Sequence, residues 1–257
     1  MKAQLTLLKV GGKIVEDDTT LAELVRSFAA WEGPRLLVHG GGRTATQLAA
    51  RMGLQTVMVG GRRVTDAEML RVVTMVYGGL VNKQIVARLA ACGVPALGLT
   101  GADMDVVRSH RRVGTEIDYG FVGDVDRVDG RRLAALLESG IVPVMAPLTH
   151  DGQGQLLNTN ADTIAGEAAK ALAGYFDVTL IYCFEHAGVL RSPDDERSLV
   201  PEMDRGMFER LKAEGVVSGG MIPKLENCLA AVEAGVSRVL ISRADAWHTG
   251  RGTLIHT

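Results

Sequence analysis

Short, near-continuous apolar runs alternate along the chain with longer stretches in which apolar residues return every three or four positions. The short runs, residues 5–10, 36–39, 95–99, 141–146, 178–183 and 238–242, predict strands covered on both faces, because a strand with one solvated face would alternate apolar and polar residues. The longer stretches, 21–31, 44–52, 67–77, 80–92, 131–139, 162–173 and 225–234, predict amphipathic helices. Gly33, Gly53, Gly93, Gly140, Gly174 and Gly235 stand just past several of them, where a helix commonly closes. This rhythm predicts an α/β fold with a mainly parallel sheet between helical layers.

One region breaks the rhythm. Residues 106–128 are rich in Arg, Asp and Gly, and the alternation in Tyr119-Gly120-Phe121-Val122-Gly123-Asp124-Val125 predicts a β-hairpin insertion. Residues 191–197 read as an exposed loop. A boundary near Gly174 divides the chain into residues 1–174 and 175–257, although no Pro/Gly/Ser linker marks it.

With 257 residues, 47% of them hydrophobic, the chain has enough core to fold without staples. A formal charge of -2 argues against nucleic acid or an anionic membrane as partner. Cys92, Cys183 and Cys228 form no C-x-x-C pair and read as buried, reduced thiols. The N-terminal apolar stretch is too short for a signal peptide, and no run reaches membrane-spanning length, so a cytoplasmic protein is expected.

Four segments carry candidate chemistry. Lys9-Val10-Gly11-Gly12-Lys13 closes the first strand. Ligands in open parallel sheets gather beyond the carboxyl ends of strands, and paired glycines let backbone N–H groups approach an anion. The same residues also read as a tight turn with solvated lysines. In Val38-His39-Gly40-Gly41-Gly42-Arg43-Thr44, three successive glycines favour amides wrapped around phosphate oxygens at a helix start over a plain turn. His39 there reads as a packed strand-end residue. Neither segment is a Walker A loop or a G-x-G-x-x-G fingerprint. In Asn158-Thr159-Asn160-Ala161-Asp162-Thr163, Asn160 or Asp162 is either a helix cap or part of a polar cluster at the sheet edge. In Gly215-Val216-Val217-Ser218-Gly219-Gly220-Met221-Ile222-Pro223-Lys224, Lys224 opposes the helix dipole unless an anion binds there, or else it snorkels to solvent. The six histidines lack ligand spacing, which argues against a protein-held metal.

Taken in order, and with Gly60-Gly61-Arg62-Arg63-Val64-Thr65-Asp66, these segments resemble the amino-acid kinase family, in its acylglutamate branch. The resemblance implies an open αβα sandwich. Residues 1–174 would form an N-terminal lobe that binds the acyl amino acid and dimerises, and 175–257 a C-terminal lobe that binds ATP. It implies phosphorylation of the γ-carboxylate of N-acetyl-L-glutamate in arginine biosynthesis, with Mg²⁺ held mainly through the nucleotide and no protein metal site. N-succinyl-L-glutamate, another substrate such as carbamate or aspartate, and non-catalytic sensing are the alternatives. By resemblance Lys9 and Lys224 stabilise the transferring phosphoryl group and Asp162 positions both. Gly41, Gly42, Arg63 and Asn158 fall on the substrate side, with Arg63 and Asn158 meeting the α-carboxylate. Gly11, Gly12, Gly188, Ser218 and Gly219 fall on the ATP side. A cytoplasmic homodimer without nucleic-acid or membrane partners is implied. The chain departs from the family's usual Thr-Asp or Ser-Asp with Cys183-Phe184-Glu185-His186-Ala187-Gly188, and it also departs in the segment from Gly98 to Met104. Arg108, Arg111 and Arg112 read as a solvated face or as partners of an extra substrate carboxylate.

Overall fold

The structure, a computed structural model, describes every residue except Met1, Thr115, Pro193 and Gly220, so Gly220 of the Gly219-Gly220 pair lies outside the described residues. The chain runs β1 (Gln4–Val10), α1 (Gly12–Glu16), α2 (Asp18–Ala29), β2 (Arg35–His39) and α3 (Gly42–Arg51). A short hairpin, β3 (Met58–Val59) and β4 (Arg62–Arg63), leads into α4 (Ala67–Val73), a π-helical stretch (Thr74–Val81), α5 (Asn82–Ala91) and β5 (Ala96–Leu99). Then come β6 (Val107–Arg111), β7 (Gly123–Val128), α6 (Gly130–Glu138), β8 (Val142–Met145), β9 (Leu148–His150), β10 (Leu156–Asn158) and α7 (Ala161–Leu172). The rest is β11 (Asp177–Phe184), β12 (Glu202–Met203), α8 (Arg205–Ala213), α9 (Met221–Glu233), β13 (Arg238–Arg243) and β14 (Thr253–Ile255).

Eight strands form the main sheet in the order β12-β14-β13-β11-β1-β2-β8-β5. From β13 to β5 every neighbouring pair is parallel, and β14 runs antiparallel to β13. Alternate residues of the strands feed two cores. Leu5 and Leu7 pack with Leu133 of α6, Ile164 of α7, Phe208 of α8 and Leu225 of α9. Leu8 and Val10 pack with Ile14, Leu24, Ala45, Met69 and Ile85 from α1 to α5. This is the three-layer sandwich that apolar strands demand, since each strand needs a cover on both faces.

The hairpin expected at 106–128 is present as β6 and β7, with a register shift between Arg108 and Ser109. It does not stand alone, because β9 and β10 extend it to a four-stranded sheet. Bridges Thr65↔Gly120 and Val122↔Asn158 tie it to the site described below.

The structure corrects several expectations. The helices expected at 67–77 and 80–92 are one continuous helical run, because Gly78-Gly79 widens the ladder into the π-helical Thr74–Val81 rather than ending it. α9 begins at Met221 and takes Pro223 within its first turn, where the missing N–H has no helical partner to lose. Cys183 and Cys228 are buried, but Cys92 is exposed. No helix among the described residues is long and apolar enough to cross a membrane.

Candidate active site

Lys9 is the penultimate residue of β1, the strand flanked by β11 and β2, and is almost fully buried. Its Nζ lies 2.6 Å from Oδ1 of Asp162, which is buried as well. Asp162 is placed by the start of α7, where the Asn160 side chain accepts the backbone N–H groups of Asp162 and Thr163. The Tyr182 hydroxyl donates to the Asp162 carbonyl at 3.1 Å. Asp162 Oδ1 accepts no other hydrogen bond, so the ammonium is what compensates its burial. Lys224 arrives from α9, and its Nζ stands 4.0 Å from the centre of the Phe184 ring; Lys9 Nζ is 5.4 Å from the same centre. Burial lowers the Lys224 pKa, the nearby Asp162 carboxylate raises it, and the Lys9 charge lowers it again. Residues 9, 162 and 224 thus share one corner of the molecule.

The two glycine loops meet back to back beside them. A Cβ on Gly40 would come within 3.2 Å of the Gly12 backbone nitrogen. Gly41 has φ +157°, and a Cβ there would lie 3.0 Å from the Tyr77 ring, so only glycine fits. Arg63 is buried next to them. Its guanidinium donates to the Gly42 carbonyl at 2.7 Å, to Thr46 Oγ1 at 2.9 Å and to Thr56 Oγ1 at 3.1 Å. All three acceptors are neutral, and no carboxylate among the described residues pairs with Arg63. Asn158 Nδ2 donates to Thr65 Oγ1 at 2.9 Å.

Three adjoining cavities open on this cluster. Lys9, Gly41, Gly42, Arg63, Asn158 and Asp162 line one of about 190 Å³. Asp162, Gly219 and Lys224 line a second of about 670 Å³, which shares Arg62 and Asn160 with the first. Gly11, Gly12, Phe184 and Glu185 line a third, which shares Gly42 and Arg63 with the first. Lys13 and Glu185 form an ion pair in its wall. Ser218 is exposed and lines none of the three. Gly188 is also outside them. A Cβ there would come within 2.6 Å of Thr253 Oγ1, so tight packing accounts for the glycine. Sequence reasoning missed Tyr77 and Phe184 as cavity-lining residues, while Asn160, read as a helix cap or part of a polar cluster, lines the first and second cavities. Tyr77 is one apolar-face residue among many, and nothing local marks it.

His39 is a packed residue, as expected. It is fully buried, its Nδ1–H donates to the Gly40 carbonyl at 2.7 Å, and Nε2 accepts from Asn82 at 3.1 Å. Burial chiefly lowers its pKa to about 4. The unfolded chain therefore binds a proton between about pH 6.5 and 4 that the folded chain does not, and stability falls as pH drops through that window. The expected loss is about 3 kcal/mol across the whole window, by the linkage relation. Urea melts at pH 7 and pH 5 should show a larger drop for the unaltered chain than for His39→Gln, and equal drops would remove His39 as the cause.

A family model described as the amino acid kinase family matches residues 4–242. The chain is 64% identical over 255 residues to a Bacteroides fragilis protein named acetylglutamate kinase, covering 99% of this chain and 98% of that protein. It is 62% identical over 255 residues to the acetylglutamate kinase of Phocaeicola vulgatus, with 99% of each covered. Among solved structures, N-acetylglutamate synthase from Neisseria gonorrhoeae, complexed with coenzyme A and N-acetyl-glutamate, matches with a TM-score of 0.84 at 22% identity. That match covers 100% of this chain and 60% of the other and bears on the fold alone.

Proposed function

The chain belongs to the amino acid kinase family, and on that premise we propose that it transfers the γ-phosphoryl group of ATP to the γ-carboxylate of N-acetyl-L-glutamate. The product is an acyl phosphate, and the step serves arginine biosynthesis. The observation that carries this reading is the convergence of Lys9 and Lys224 on one carboxylate, Asp162, beside two glycine loops. The names of the two relatives favour the acetyl substrate over the succinyl one.

A glutamate side chain is ionised at neutral pH, with a pKa near ~4.3, so attack on the phosphorus needs no general base. The barrier lies in bringing an anion to a polyanion and in stabilising charge spread over the transferring group. Fixed positive charge and prior positioning answer both. Lys9 and Lys224 supply the charge, and Asp162 positions Lys9 directly and Lys224 through its field. Gly11, Gly12, Gly41 and Gly42 supply backbone N–H donors. The narrower cavity suits the acyl amino acid and the wider one the nucleotide. Gly219 lies on the nucleotide side, with Ser218 next to it in the chain. Gly188 contributes through its packing against Thr253 rather than by lining a cavity. Mg²⁺, when bound, neutralises phosphate charge. The wall carboxylates Asp162 and Glu185 are each engaged with a lysine, which suits an ion held on nucleotide oxygens and water.

Arg63 meets the substrate α-carboxylate, with Asn158 beside it, because a buried guanidinium surrounded only by neutral acceptors suits a bidentate anion. Arg63→Lys should raise KM for the acyl amino acid by roughly tenfold or more with kcat little changed. An unchanged KM would remove that contact. Residues 1–174 carry the acyl-substrate and dimer surfaces and 175–257 the nucleotide surface of a cytoplasmic homodimer, which a sedimentation mass near twice 27.4 kDa would support.

The reaction is tested by offering N-acetylglutamate, N-succinylglutamate, glutamate, aspartate and carbamate with ATP and Mg²⁺ and trapping acyl phosphate with hydroxylamine. Hydroxamate formed chiefly from N-acetylglutamate supports the reading. A stronger signal from another acceptor reassigns the substrate, and ligand binding without ADP release would leave a sensor.

A further inference from the structure

Phe184 ends β11 and is buried against the two lysines. Its ring stacks on Tyr182 with centroids 6.1 Å apart and 15° between planes. Tyr182 is in turn anchored through its hydroxyl to the Asp162 carbonyl. The ring therefore belongs to one connected unit with Asp162 and Lys9. Lys224 Nζ lies 4.0 Å from the ring centre, and no carboxylate among the described residues pairs with it. Asp162, the nearby anion, is already engaged with Lys9 at 2.6 Å.

We propose that Phe184 is a positioning residue for phosphoryl transfer, its ring face holding the Lys224 ammonium in place beside the transferring phosphate. This rests on the role given to Lys224 above. A catalytic cation keeps its effect only beside a partner that does not cancel its charge. A carboxylate at this place would fix the ammonium but also cancel the charge meant for phosphate. An aromatic face attracts a cation through the negative potential over its ring and leaves the charge intact. It also offsets part of the cost of burying the ammonium away from water, a burial seen in the lowered Lys224 pKa. Without the ring, Lys224 is free to turn toward Asp162, and one carboxylate would then be shared by two lysines.

The test replaces Phe184 in the full chain with 4-fluoro-, 3,5-difluoro- and 3,4,5-trifluorophenylalanine. Ring size changes little along this series, but the negative potential over its face falls step by step. The expected result is a stepwise fall in kcat, reaching about tenfold with three fluorines, while KM for the acyl amino acid and the thermal midpoint stay fixed. Phe184→Leu should lose at least as much kcat. In a Lys224→Ala background, the effect of fluorination on the residual kcat should shrink to the weaker contact of the ring with Lys9, whose Nζ lies 5.4 Å from its centre. A flat kcat across the series, or a thermal midpoint that falls in step with kcat, would show the ring to be core packing and overturn the proposal. If the unaltered enzyme makes no acyl phosphate from any acceptor, the reaction assignment fails instead, and the two failures are told apart.

Discussion

Lys9→Ala should lower kcat by more than about a hundredfold, the scale seen when one preorganised donor to developing charge is removed. The magnitude follows from where Lys9 stands. It lies near the end of the strand that β11 and β2 both flank, so its backbone is fixed on two sides, and its side chain is held by Asp162 at 2.6 Å. A cation held in this way stabilises charge without reorganising during the reaction. Its removal does a second kind of harm. Asp162 Oδ1 accepts no other hydrogen bond, so the freed carboxylate is left without its cation and draws Lys224 off the Phe184 ring. The measurement is kcat at saturating ATP and acyl amino acid. A value near that of the unaltered enzyme would take Lys9 out of the catalytic set. Lys224→Ala should show a kcat loss of similar size with a smaller change in stability, since its partner is a ring and not a buried carboxylate.

Asp162→Ala is expected to cost about 3–5 kcal/mol of stability, the usual penalty for leaving one half of a buried ion pair behind. Lys9 is 5% exposed, and Asp162 is its only ion-pair partner among the described residues. Replacing both members, Lys9→Met with Asp162→Leu, should recover most of that stability and none of the activity, since a matched apolar pair leaves no uncompensated charge. Urea midpoints, compared with unchanged slopes, give the numbers. A single substitution that proved harmless would mean that the pair is far better hydrated than its burial indicates.

The strands of the main sheet were legible because continuous apolar runs have few alternatives. The run 5–10 became Gln4–Val10, and 238–242 became Arg238–Arg243. What could not be read was what depends on distant partners. The hairpin at 106–128 gives no local sign that β9 and β10 will pair with it. β12 and β14 are two and three residues long, too short to show a period. Gly78-Gly79 looks like a break in sequence, yet the surrounding packing keeps the run helical. The site divides in the same way. Glycines after strands pointed to the loops that meet beside Lys9, and Asn160 and Asp162 could be named as a helix start. Phe184 registered only as a departure from a familiar dipeptide, because the two lysines it touches come from residues 9 and 224. Gly188 looked like a loop glycine of the nucleotide side, when its lack of a side chain serves contact with Thr253.

The place of β1 in the sheet has a consequence for how the protein is made. One edge of this strand bonds to Arg35–His39, which leaves the ribosome soon after it, while the other bonds to Asp177–Phe184. At a synthesis rate of about 5–20 residues per second, the nascent chain carries that second edge unpaired for roughly 10–35 s. During that interval seven mostly apolar residues offer free backbone groups to any other extended chain.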